Sequence, residues 1–82
     1  MNNSEFIRLS LEKRLEILRE EGEFIGARTI PSHRVYLYAV HSFFVELYVL
    51  SSLNQIQWIE IQSNKQILAE YTQDIDLKGL FE

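Results

Sequence analysis

The sequence predicts an α+β domain: an N-terminal helix, a four-stranded antiparallel meander, and a short C-terminal helix or fifth strand. Three observations carry this. Apolar residues recur at helical spacing in residues 11–18, the hydrophobic period changes to two from residue 23, and every link between the extended runs is short.

The helix is expected over Leu11 to Glu21. Ser10 suits its N-cap, because a serine hydroxyl accepts a bond from an otherwise orphan backbone N–H. Glu12 falls in the first turn, where the helix dipole favours an anion. Leu11, Leu15 and Leu18 form one apolar stripe with Ile17 on its shoulder, and Gly22 follows as a left-handed C-terminal cap. Ser4 to Leu9 add at most a loose turn, so residues 1–9 read as a loosely ordered N-terminus.

Phe24 to Ile30 reads as the first strand, ended by Pro31, which cannot donate to a ladder. Gly26 inside it marks a bulge or a close packing contact. Arg34 to Val40 and Phe43 to Leu50, rich in β-branched and aromatic residues, follow as the second and third strands, joined by a two-residue turn at His41-Ser42. A longer turn over Ser51 to Asn54, with Asn54 at positive φ, leads to a fourth strand over Gln55 to Gln62. Beyond it, Ile67, Leu68, Tyr71 and Ile75 fit one face of a helix capped by Ser63 or Asn64, whereas Ile67, Ala69 and Tyr71 also alternate as a strand would. Ala, Glu and Gln favour the helix. Residues 76–82 read as an apolar docking tail, and the whole chain, 1–82, as one domain.

The turn at His41-Ser42 pairs Val40 with Phe43, Tyr38 with Val45 and Tyr36 with Leu47. One face then holds Tyr36, Tyr38, Val40, Phe43, Val45, Leu47 and Val49, joined by Ile56 and Trp58. The other holds Val35, Leu37, Ala39, Phe44, Glu46 and Tyr48, joined by Gln57, Ile59 and Ile61. Both faces are largely apolar, whereas a sheet with one face in water alternates apolar and polar. One helix and a short C-terminal segment can cover one face. The other calls for the tail, a second subunit or a ligand, or for helices on opposite faces.

The full composition narrows the function classes. The chain has 82 residues and no cysteine, which excludes a disulfide framework and thiolate metal sites, so stability must come from apolar packing. Residues 1–5 have neither a basic nor a long apolar region, and the apolar run from Val35 to Leu50 is broken by His41, Ser42 and Glu46; a cytoplasmic protein with no membrane span is expected. With a net charge of −4 and its bases interleaved with acids in the first helix, the chain offers no patch for nucleic acid.

Residues with chemistry are few. His33 and His41 sit at opposite ends of one strand, roughly 25 Å apart at strand rise, too far to share a metal. Glycines form no phosphate loop, no nucleophile elbow supports a serine triad, and no cofactor is implied. Glu46 stands out, mid-strand in an apolar run, because a buried carboxylate needs a partner; Arg28 or Arg34 could supply it.

The runs Leu11 to Glu16 and Glu21 to Ile25, followed by Tyr36-Leu37-Tyr38, Phe43 to Tyr48 and Asn54-Gln55-Ile56, resemble a group of short uncharacterised bacterial proteins over roughly residues 10–77. That resemblance implies a helix plus an antiparallel meander and carries no activity. In such proteins the hairpin turn often reads Asn-Gly or Asp-Gly where this chain has His41-Ser42.

Two functional expectations result. The first is a non-enzymatic interaction or structural module, a homodimer or the partner of another protein, self-associating through Tyr36, Tyr38, Phe43, Val45, Leu47 and Trp58. The second is a small-ligand binder or minor enzyme with a pocket around Arg28, Tyr36, Tyr38, Glu46 and Tyr48.

Overall fold

The computed structural model describes residues 1–71. The expected residues 72–75 of the last helix and the docking tail at 76–82 lie outside the described residues.

Helix α1 (Asn3–Ile7) precedes helix α2 (Leu11–Glu21), followed by strands β1 (Gly22–Ile30), β2 (His33–Val40), β3 (Phe43–Leu50) and β4 (Gln55–Ile61), and helix α3 (Lys65–Glu70). The strands form one antiparallel sheet in the order β1-β2-β3-β4, the meander the short links demand. Val40 pairs with Phe43, Tyr38 with Val45 and Tyr36 with Leu47, as the turn at His41-Ser42 requires. His41 adopts φ 52°, the position glycine favours in a type II′ hairpin, and Asn54 takes φ 52° in the next turn.

The helix caps follow local chemistry. Ser10 Oγ accepts from Lys13 N at 3.2 Å, and Asn64 Oδ1 accepts from Gln66 N at 2.9 Å to start α3. Residues 65–71 are therefore helical rather than a fifth strand. Where only a loose turn was expected over Ser4 to Leu9, α1 forms with Asn2 as its cap, and Phe6 is fully buried.

Gly22 is not a left-handed cap. Its φ of −82° and ψ of 143° are extended, and it is the first residue of β1. Its role is steric: a Cβ there would lie 2.6 Å from the Leu18 carbonyl oxygen, so only glycine lets the strand leave the helix this tightly.

Two bulges set the faces. In β1, Phe24 pairs with Tyr38 and Gly26 with Leu37, leaving Ile25 as the extra residue beside the expected Gly26 irregularity. In β4, Tyr48 pairs with Trp58 but Val49 with Ile56, so Gln57 is extra. The second bulge corrects the expected parity of β4. Ile56 does share the face of Val49, but Ile59 and Ile61 pair with Leu47 and Val45, and Trp58 falls opposite Tyr48. One inserted residue sends the side chains after it to the other face.

The sheet is covered on both sides. One face packs Val40, Phe43, Val45, Leu47, Val49 and Ile59 against Phe6 of α1 and Leu18 of α2, with Leu11, Leu15 and Ile17 at the margin. The other packs Ile25 and Leu37 against Leu68 and Tyr71, with Ala39 and Phe44 beside them. The helices thus lie on opposite faces.

Candidate functional site

Three regions hold the residues with chemistry or exposed apolar surface. The first centres on Glu46 of β3, which is fully buried. Its partners come from three other places in the chain. Arg28 Nε donates to Oε2 at 3.0 Å from β1, Tyr71 Oη donates to Oε2 at 2.5 Å from the end of α3, and Gln62 Nε2 donates to Oε1 at 2.6 Å from the link after β4. Tyr48 Oη adds a bond to Oε1 at 3.0 Å. Arg28 also reaches the Tyr71 hydroxyl at 3.2 Å and Glu70 at 3.4 Å.

The electrostatics follow from that geometry. Burial alone would raise the Glu46 pKa, but hydrogen bonds from Tyr71, Gln62 and Arg28 and the charge of Arg28 outweigh it and hold the carboxyl below its ordinary value. Burial, the neighbouring Glu46 charge and the bond to Glu46 push Tyr48 up to about 12, and burial with the same carboxylate raises Tyr71 further. Burial works against the Arg28 charge, yet its bonds to Glu46 and Tyr71 and the Glu46 charge leave its pKa raised. Both Glu46 oxygens accept two bonds each, which fills a carboxylate's usual acceptor sites. A saturated carboxylate paired to an arginine cements elements together and has no lone pair left to take a substrate proton.

The structure brings Arg28 and Tyr48 together on Glu46. Tyr36 and Tyr38 are not with them, since they pair with Leu47 and Val45 on the opposite face of the sheet. The expected five-residue pocket is thus split across the sheet. Tyr71 and Gln62 went unnoticed, because their role depends on the path of the chain after β4.

The second region is a cleft of about 470 Å³ between α2 and the sheet, lined by residues including Leu15, Leu18, Phe24, Tyr38, Leu47 and Ile56. Phe24 is 56% exposed and Ile56 is 38% exposed, while Tyr36 and Tyr38 are half-buried. The Phe24 ring meets Tyr38 edge-on at 5.6 Å and Tyr36 at 6.4 Å, so the three form one aromatic cluster. Of the six residues expected at an interface, Phe43, Val45 and Leu47 are buried within the chain itself. Tyr36 and Tyr38 remain at the surface with Phe24 and Ile56, and Trp58, at 43% exposure, belongs to the other side of β4's register.

The third region is structural. Arg14, one of the bases interleaved with acids in the first helix, is buried. Its guanidinium donates to the Ile7, Leu9 and Ile59 carbonyls at 2.7, 3.1 and 2.5 Å and lies over the rings of Phe6 and Trp58 at 5.5 and 4.7 Å. It ties the α1–α2 link to edge strand β4. The signal was in the sequence: Arg14 follows Leu11 by three residues and precedes Leu18 by four, placing it on the apolar stripe.

No family model, curated protein or solved structure matches the chain. Among the described residues no group of three or more His, Cys, Asp or Glu side chains is arranged to hold a metal, and no helix is long and apolar enough to cross a membrane.

Proposed function

We propose that this chain is a small, non-enzymatic interaction module that self-associates through the cleft between α2 and the sheet. The observation that supports it is the cluster of Phe24, Tyr36, Tyr38 and Ile56, an aromatic-aliphatic surface with Phe24 56% exposed. Contiguous exposed apolar surface on a small protein marks an interaction site, and a two-fold dimer is the commonest way to cover one. The Glu46 network offers no comparable opening, because its acceptor sites are filled from within. The same reading makes the chain a cytoplasmic bacterial protein, for which the lack of cysteine and the resemblance described above are the support.

Sedimentation velocity from low to high micromolar concentration tests it. The wild type is expected to move from monomer to dimer, and Phe24→Ser to stay monomeric while still unfolding cooperatively, at a cost of about 1–2 kcal/mol for its lost contacts with Tyr36 and Tyr38. A wild type that remains monomeric throughout removes self-association.

A further inference from the structure

The face that carries α3 is not covered evenly. Across it runs the row Arg28, Val35, Tyr48, Trp58, each residue opposite the next in adjacent strands. At the β4 end of that row lies a second cleft, of about 220 Å³, lined by Ile30, His33, Tyr48, Gln57, Trp58 and Glu60. For scale, an engineered cavity of about 150 Å³ accommodates benzene.

The lining has a definite chemical character. Three of the six residues are aromatic, and the His33 ring meets Tyr48 edge-on at 6.2 Å. Tyr48 spends its hydroxyl on Glu46, which fixes the ring, and the half-buried ring is part of the cleft lining. His33 Nε2 donates to Gln57 Oε1 and Nδ1 lies 2.8 Å from Ser32 Oγ, so both ring nitrogens are engaged within the chain. The Arg14 guanidinium lies over the Trp58 ring 4.7 Å from its centroid, which takes one face of the indole and leaves a ligand the other. No lysine or arginine lines the cleft, and Arg28, two residues before Ile30 in β1, is engaged by Glu46 and Glu70. Glu60 is exposed and makes no ion pair among the described residues.

Aromatic faces with a carboxylate beside them form the environment that selects an organic cation. We propose that this cleft binds a small alkylammonium ion, with Trp58 and Tyr48 as its aromatic walls and the Glu60 carboxylate as its counter-charge. An anion would meet Glu60 with no lysine or arginine in the lining to offset it. A bare divalent cation would find one carboxylate where such ions take six or more oxygen ligands, some of them water.

Trp58 is the single tryptophan of the chain, so its fluorescence reports occupancy directly. The full chain is titrated at constant ionic strength with choline and, in parallel, with 3,3-dimethylbutan-1-ol, its uncharged carbon isostere. The expected result is a saturable response to choline with a midpoint of roughly 1 mM, the range of a weak single-ion site, accompanied by a shift of the indole N–H resonance. Glu60→Gln, an exposed substitution that leaves the fold intact, is expected to weaken choline about fivefold, the effect of losing one exposed ionic contact. Equal responses to choline and the neutral isostere, an unchanged midpoint in Glu60→Gln, or no saturation by choline would each overturn the site. A tighter midpoint for choline than for trimethyllysine in a short glycine peptide would identify a free small molecule as the source of the cation, and the reverse a protein side chain; saturation by either supports the site.

Discussion

The two faces of the sheet are closed by different physics. On the α1–α2 face the contacts are apolar, with Phe6 and Leu18 seated among Val40, Phe43, Val45 and Ile59. On the α3 face the apolar contribution is small, chiefly Leu68 and the Tyr71 ring, and a polar network centred on Glu46 completes the attachment. A helix of six residues has no stability of its own in water, so α3 persists through what it touches. Apolar burial is non-directional and tolerates adjustment, whereas a buried carboxylate holds only while each partner stays in place. The comparison therefore predicts that damage on the first face spreads through the domain, while damage on the second starts at α3.

The largest expected effect is on the apolar face. Phe6→Ala removes a fully buried ring in edge contact with Phe43 at 5.5 Å. Its expected cost is about 4 kcal/mol, read from urea unfolding. A cost below about 1 kcal/mol would mean that α1 is dispensable and that apolar closure is not what secures that side.

Arg28→Ala comes next, at about 3 kcal/mol, because it leaves Glu46 buried without its counter-charge. Combining it with Glu46→Gln should recover part of that loss, since a neutral amide at residue 46 needs no cation. Hydrogen exchange distinguishes the faces: amides of residues 65–71 should exchange faster in Arg28→Ala while those of α2 change less. Uniform acceleration across both helices would show that the two faces do not open separately.

The smallest effect is the pH dependence. Because the folded Glu46 carboxyl lies below its ordinary value, the folded state binds fewer protons than the unfolded state as acid is added. Its contribution is present above the unfolded pKa of about 4.3 and is lost as pH falls through the lower folded value. Urea midpoints should decline over that acid range in the wild type and decline less in Glu46→Gln. Parallel curves for the two proteins would separate acid sensitivity from this carboxylate.

Much of the Glu46 region was legible because its logic is local. A carboxylate in an apolar strand requires partners, and Arg28 shares its face through strand alternation, so the pair could be named from spacing. Tyr71 could not, because helical period does not say over which strands a helix will come to rest. The cluster of Phe24 with Tyr36 and Tyr38 was only half visible: the tyrosines were placed on one face, but which part of that face α2 leaves open depends on where the helix lies. Trp58 was assigned to the wrong face because nothing in Gln55 to Ile61 announces that Gln57 is an extra residue.

The amino-acid sequence alone determined α2, the four strands and their order. Cap chemistry at Ser10, the period of two through β2 and β3, and short links that leave strands no option but to pair with their neighbours were sufficient. These are interactions between residues near in the chain, so they can be read from a string. Only the tertiary structure decided that Gly22 is required for closeness rather than for a left-handed turn, that Arg14 is buried, and that the helices divide between the two faces. Each depends on atoms brought together from distant positions, by a bulge or a helix seat whose geometry the local pattern does not contain.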